Sequence, residues 1–213
     1  MLNLSEQEGK IESLLFKGLK ALKEHNIRDW VISHEEFERL ITNGLPHTAR
    51  IVTFAYYTAM RKGEILNLRW DRIDMINGFI RLLPEDTKAD EGRAIPIHPE
   101  VMRLLQSLPR DIHGYVFTLK GKPITEIRRS FLAACKRAGI EDFIFHDLRH
   151  TAINNWRLQG HDFFRIMAAS GHKTMAVFKR YNTVSEDELR GLVNLPIATY
   201  KATNEKKDST KIS

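Results

Sequence analysis

The sequence predicts an α+β domain that is mainly α, with a small antiparallel β-sheet set among its helices. Three observations predict it. Apolar residues recur at helical spacing through most of the 213-residue chain. Between Met75 and His98 the pattern changes to two β-prone runs, Phe79–Leu83 and Arg93–Ile97, which flank a polar stretch and imply an antiparallel pair with a longish turn. The composition, 42% hydrophobic and 28% charged, suits a folded globular chain and excludes collagen-like, wholly disordered and disulfide-stapled classes.

The elements follow in order. Residues 1–30 read as an extension in which Ile11, Leu15, Leu19 and Leu22 mark one amphipathic helix. Compact sequence begins near Trp30, and the main domain is expected over 31–196. Ser33 and Glu36 form a capping box, with Phe37, Leu40 and Ile41 on the buried face and Gly44 and Pro46 as the stop. Helices are expected over His47–Met60 and Lys62–Trp70. After the β-pair, Pro99 sits at a first helical position and leads Val101, Leu104, Leu105 and Leu108. Thr125–Ala138 holds Ile127, Phe131, Leu132 and Cys135 in phase and stops at Gly139. Asp147–Gln159 stops at Gly160, and Asp162–Ser170 stops at Gly171. A short helix is expected over Thr174–Tyr181, then a second capping box at Ser185 and Glu188. Residues 197–213 are polar and lysine-rich and read as a disordered tail.

Charge narrows the class of partner. Lys and Arg number 33 against 27 acids, a formal net charge of +6, and the pI is near 9.4. A basic balance favours a polyanion, nucleic acid first. Cys135 is the only cysteine, so no intrachain disulfide can form, and a reducing cytoplasm fits. No apolar run reaches the roughly 18–20 residues of a membrane span. Acids stand near the N-terminus where a signal peptide would want bases. The expectation is a soluble, cytoplasmic chain with no membrane partner.

Three segments concentrate unusual residues: Thr58-Ala-Met-Arg61-Lys-Gly-Glu64, Phe145-His146-Asp-Leu-Arg149-His150, and Ser170-Gly171-His172 with Tyr181 nine residues further on. On a helix opening near His146, positions 146, 149 and 150 project to one side, at an end whose free N–H groups favour anions. Such a cluster suits a phosphate. It also reads as a solvated surface helix. His146 and His150 stand at the four-residue spacing of zinc-binding histidines, but Asp147 replaces the glutamate of the H-E-x-x-H pattern, and Arg149 would set a cation beside the metal. Taken singly, His172 reads as part of a helix junction and Tyr181 as a buried tyrosine with a bonded hydroxyl.

Together the segments resemble the catalytic boxes of the tyrosine recombinase family, the phage-integrase type of site-specific DNA recombinases. The family pattern is a T-G-x-R-x-x-E box, a hairpin lysine, an H-x-x-R box, a G-H box and a tyrosine shortly after. This chain supplies Arg61 with Glu64, Lys88, His146 with Arg149, His172 and Tyr181, in that order, over about Trp30 to Leu195. Ala59 stands where the family usually has Gly, and Ser170 where it usually has Leu. Both lie outside the reactive set. Residues 1–30 are too few for the separate core-binding domain that family members usually carry.

The resemblance implies cleavage and rejoining of double-stranded DNA through a 3′-phosphotyrosine, with no metal, cofactor, ATP or small-molecule substrate. Arg61 and Arg149 would fork onto the non-bridging oxygens, where phosphoryl transfer builds charge. Tyr181 would attack phosphorus with His146 as base or orienting group, and His172 would bond a non-bridging oxygen. Lys88 would protonate the leaving 5′ oxygen; it also reads as a solvated turn lysine beside Glu85, Asp86, Asp90 and Glu91. Glu64, one helical turn from Arg61, would orient it or form a plain surface pair. Recombination on paired sites implies a homo-oligomer on DNA, a tetramer, in which Asp187–Pro196 packs on a neighbour or on its own domain. Three alternatives stand beside this reading: a type IB topoisomerase, a DNA-binding regulator that no longer cuts, and a zinc hydrolase.

Overall fold

The structure, a computed structural model, describes residues 30–88, 90–110 and 114–175. The expected helix at Ile11–Leu22, Tyr181 with nearly all of its short helix, the second capping box, the segment Asp187–Pro196 and the tail lie outside these residues.

The first helix, α1 (His34–Thr42), starts at the expected capping box. The Ser33 hydroxyl accepts from the Glu36 N–H at 3.1 Å, and the Glu36 carboxylate accepts from the Ser33 N–H at 2.9 Å. Its apolar face buries Phe37 and Leu40. Helix α2 (Pro46–Thr58) is the centre of the domain. Ile51, Val52, Phe54 and Ala55 are almost wholly buried, because α1, α4 (Pro99–Ser107) and α6 (Asp147–Leu158) all pack against it. Each large apolar side chain so enclosed contributes about 1.5–3 kcal/mol. Ile32 ties the start of the domain to α6 by donating its N–H to the Thr151 hydroxyl at 3.2 Å.

Two helices are shorter than expected by three residues or more. The stretch after Arg61 is helical only over α3 (Lys62–Leu66); a 3-10 turn follows at Trp70–Arg72. Between them the chain turns extended, because the Arg69 backbone bridges to Tyr115 and Trp70 N–H bonds to the Gly114 carbonyl at 2.8 Å. Helix α5 spans Arg128–Ala138, not Thr125–Ala138. The Glu126 carboxylate accepts from the N–H groups of Ile127 and Arg128 at 2.8 Å each, so Glu126 caps the helix instead of entering it.

The sheet holds the two expected strands, β2 (Phe79–Leu82) and β3 (Arg93–Pro96), in antiparallel register with Ile80 opposite Ile95 and Leu82 opposite Arg93. A third short strand, β1 (Ile73–Asp74), pairs on the far side of β2. A separate hairpin joins β4 (Thr118–Leu119) to β5 (Lys122–Pro123). The last described helix is α7 (Phe163–Ser170), opened by Asp162, whose carboxylate accepts from the N–H groups of Phe164 and Arg165. It packs on β3 and α6. A small second core (Ala59, Ala152, Ile153 and Ile166) fills the space beneath this junction. Among the described residues no helix is long and apolar enough to cross a membrane.

Candidate active site

The site is built around the last turn of α7. A helix end leaves carbonyl groups without intrahelical partners and carries a partial negative charge. Three successive carbonyls there each accept from a different arginine. Ala169 takes Arg93 Nε at 3.0 Å, Ser170 takes Arg149 Nη2 at 2.7 Å, and Gly171 takes Arg61 Nη2 at 3.4 Å. The turn is closed by Gly171 at φ 74°, ψ 40°. Glycine is required twice over: the left-handed backbone disfavours a side chain, and a Cβ would come 3.1–3.2 Å from the Arg93 side chain.

Arg149 reaches this turn from the first turns of α6 and is 2% exposed. Its Nη1 also donates to the Ala59 carbonyl at 2.6 Å. Ala59 ends α2 at φ 52°, ψ 19°, and this left-handed step belongs to the residue whose carbonyl Arg149 holds. For a residue with a Cβ such a step costs about 1–2 kcal/mol, partly offset here because the Ala59 methyl is buried in the second core.

Arg61 is the N-cap of α3, and Glu64 sits one turn below it. Glu64 accepts from the Arg61 N–H at 2.8 Å and from Arg61 Nη1 at 2.9 Å. It also takes a two-point fork from Arg93, at 3.1 and 2.6 Å. Burial would raise this carboxyl, but the hydrogen bonds and charge of Arg93, with those of Arg61, outweigh it and hold Glu64 below the usual carboxylate range. Two guanidinium groups, those of Arg61 and Arg93, therefore share one carboxylate, and Arg149 brings a third positive charge to the same turn, a balance that favours an incoming anion.

His172 follows directly. Its Nε2 lies 3.1 Å and its Nδ1 3.5 Å from Arg149 Nη2, while Nδ1 is 2.7 Å from the Ser170 hydroxyl. Burial, then the charges of Arg149 and Arg61, push its pKa down to about 3, so the ring is neutral at any ordinary pH. His146 stands at the N-cap position of α6, without a side-chain capping bond, and meets His150 edge to face at 5.2 Å between ring centroids. Partial desolvation and the neighbouring Arg149 lower its pKa, against an opposing pull from Asp147. Among the described residues no group of three His, Cys, Asp or Glu could hold a metal ion.

Lys88 stands apart. It is exposed on the turn between β2 and β3. The root of that turn reaches the site: Glu91, Gly92 and Arg93 line a cavity of about 420 Å³ together with Arg61, Gly171 and His172. Glu91 also pairs with Lys173 at 2.9 Å. Tyr181 lies outside the described residues.

Two residues escaped the sequence reading. Arg93 was legible in principle: it stands two residues before buried Ile95 and so shares the inward face of β3. Ser170 had been set outside the reactive group, yet its hydroxyl and its carbonyl contact His172 and Arg149. No periodicity could have shown that.

Comparison with known proteins gives the chain's family and its likeness in fold. The model of the phage integrase family matches residues 30–188. The shufflon-specific DNA recombinase of Escherichia coli is 40% identical over 132 residues, 62% of this chain and 33% of the relative. The integrase of Salmonella phage P22 is 31% identical over 175 residues, 75% of this chain and 45% of the relative. The chain thus spans less than half the length of these curated relatives. Among solved structures, a lambda integrase dimer bound to a COC′ core site superposes with a TM-score of 0.64 at 20% identity, covering 81% of this chain and 68% of that one. This last likeness is one of fold.

Proposed function

This chain belongs to the phage integrase family, and we propose that it cleaves and rejoins double-stranded DNA through a phosphotyrosine formed at Tyr181. The observation that carries the reading is the convergence of Arg61, Arg149 and His172 on one helix turn, beside a cavity lined by Arg61, Arg93 and the neutral imidazole of His172. The relatives are named as a recombinase and an integrase, and a neighbour in fold is a dimer bound to a core site.

The chemistry follows from the side chains. A scissile phosphate seated in the cavity meets guanidinium donors that stay charged at any working pH. The phenol of Tyr181, with an ordinary pKa of about 10, needs a base. His146, kept neutral by its surroundings, accepts that proton. The bond from the Tyr181 oxygen to phosphorus forms as the bond to the 5′ oxygen breaks, and Lys88 delivers the proton that lets this oxygen leave as a hydroxyl. His172 acts by hydrogen bond, since it carries no charge to offer. Attack by another 5′-hydroxyl reverses the step and conserves the bond energy, so neither ATP nor a metal is required. On this reading the working domain is 31–196, with 1–30 as an extension and 197–213 as a tail. Strand exchange between paired sites calls for a tetramer, acting in the cytoplasm where the DNA lies.

Incubation with a pool of random-sequence nicked suicide duplexes tests the reading. A covalent protein–DNA adduct should form in the presence of a metal chelator and vanish in Tyr181→Phe. An adduct that survives in the Tyr181→Phe protein refutes the assignment of the nucleophile.

A further inference from the structure

Ser170 ends α7 with no exposed surface, and its Oγ lies 2.7 Å from Nδ1 of His172. A neutral imidazole has one N–H and one lone pair. Arg149 can only donate, and its Nη2 is nearer Nε2, at 3.1 Å, than Nδ1, at 3.5 Å. The lone pair therefore belongs on Nε2, and Nδ1–H donates to Ser170 Oγ. The Ser170 hydroxyl in turn points its proton toward the Met167 carbonyl, 3.4 Å away. The result is a chain of donors running from Arg149 through His172 and Ser170 to the backbone.

A phosphate oxygen reverses the demand. It only accepts, so the ring must present Nε2–H to it, and Nδ1 then carries the lone pair. The neighbour at Nδ1 must now donate. A hydroxyl can turn and do so, whereas an amide or carbonyl fixed in place serves one state only.

We infer that Ser170 is a positioning residue whose hydroxyl holds the His172 ring and serves both neutral tautomers, one facing Arg149 in the free protein and the other facing the scissile phosphate. This rests on the strand-cleavage reading for its phosphate. The exchange moves one proton off Nδ1 and one onto Nε2 through solvent, with no net proton taken up. The depressed pKa of His172, about 3, agrees with a neutral ring throughout.

Two measurements on the full chain test it. The first needs no DNA: nitrogen-15 NMR of ring-labelled histidine should find the His172 proton on Nδ1, with its resonance broadened by solvent exchange in Ser170→Ala and sharp again in Ser170→Thr. A proton on Nε2 in the unmodified protein, or identical spectra for all three, would overturn the inference. The second is a double-mutant cycle on the single-turnover rate of adduct formation with the nicked duplex pool. Ser170→Ala should slow the unmodified protein about 10-fold, the worth of one neutral hydrogen bond, and should leave the rate unchanged in a His172→Ala background. An equal loss in both backgrounds would assign Ser170 to packing alone and end the proposal. Failure of the unmodified protein to form any adduct would count against strand cleavage, and the NMR result would then decide the role of Ser170.

Discussion

The two basic regions of the site are held by opposite means. At the last turn of α7, guanidinium groups are fixed by backbone carbonyls and by a Glu64 side chain only 4% exposed. On the β2–β3 turn, Lys88 is exposed, and the ion pairs around it lie nearer the surface: Arg72 with Glu85 and Asp86 at the base, Glu91 with Lys173 at the side. Among the described residues of the turn only Thr87 is buried, its hydroxyl accepting from the Glu91 N–H at 3.1 Å and so closing the turn. Exposed pairs are worth about 0–1 kcal/mol and are screened by salt; breaking a buried one costs about 3–5 kcal/mol. The difference suits the two tasks that the proposed mechanism gives these groups. Groups that stabilise charge on phosphorus work best when fixed beforehand. A general acid must follow a leaving oxygen.

Ranked by effect on stability, the sharpest break is at Glu64. Glu64→Gln removes the carboxylate shared by Arg61 and Arg93 and should destabilise the domain by about 3 kcal/mol, measured by urea unfolding. Acid comes next. His172 titrates near 3 in the folded chain and near 6.5 when unfolded. The unfolded state therefore binds the extra proton, and stability falls as pH drops below about 6.5, by at most roughly 1.4 kcal/mol per unit from this group. Thermal unfolding between pH 7 and 5 should show that decline, and His172→Asn should flatten it. Ala59→Gly is smaller: relief of the left-handed backbone is opposed by a lost methyl contact and a freer unfolded chain, so stability should stay within about 1 kcal/mol. Lys88→Ala should change stability by less than about 0.5 kcal/mol, yet slow adduct formation by about 100-fold or more. A 5′ leaving group already activated, such as a bridging phosphorothiolate, should recover most of that rate, because a thiolate leaves without a proton.

The sequence made much of this legible, and for identifiable reasons. The α1 capping box, Pro99 at the start of α4 and the glycines that close α5 and α7 are local signals, and local hydrogen bonds decide them. The pairing of Arg61 with Glu64 is likewise set within one turn. Apart from the start of α5, which the neighbouring Glu126 sets, the misread elements were settled at a distance or were too short to read. The chain after Leu66 leaves the helix because it meets Tyr115, and strands β1, β4 and β5 are two residues each, too short to show alternation. The carbonyl grip on three arginines could not be read at all, since backbone acceptors carry no sequence identity. What the sequence did register was its consequence, a glycine at 171 and a small residue at 59.

The most direct test of the central claim is to digest the covalent adduct and identify the peptide that carries the nucleotide. The DNA 3′ end should be joined to the peptide containing Tyr181, in a yield that falls at least about 100-fold in Arg149→Ala. A nucleotide attached to any other residue, or an undiminished yield without Arg149, would contradict it.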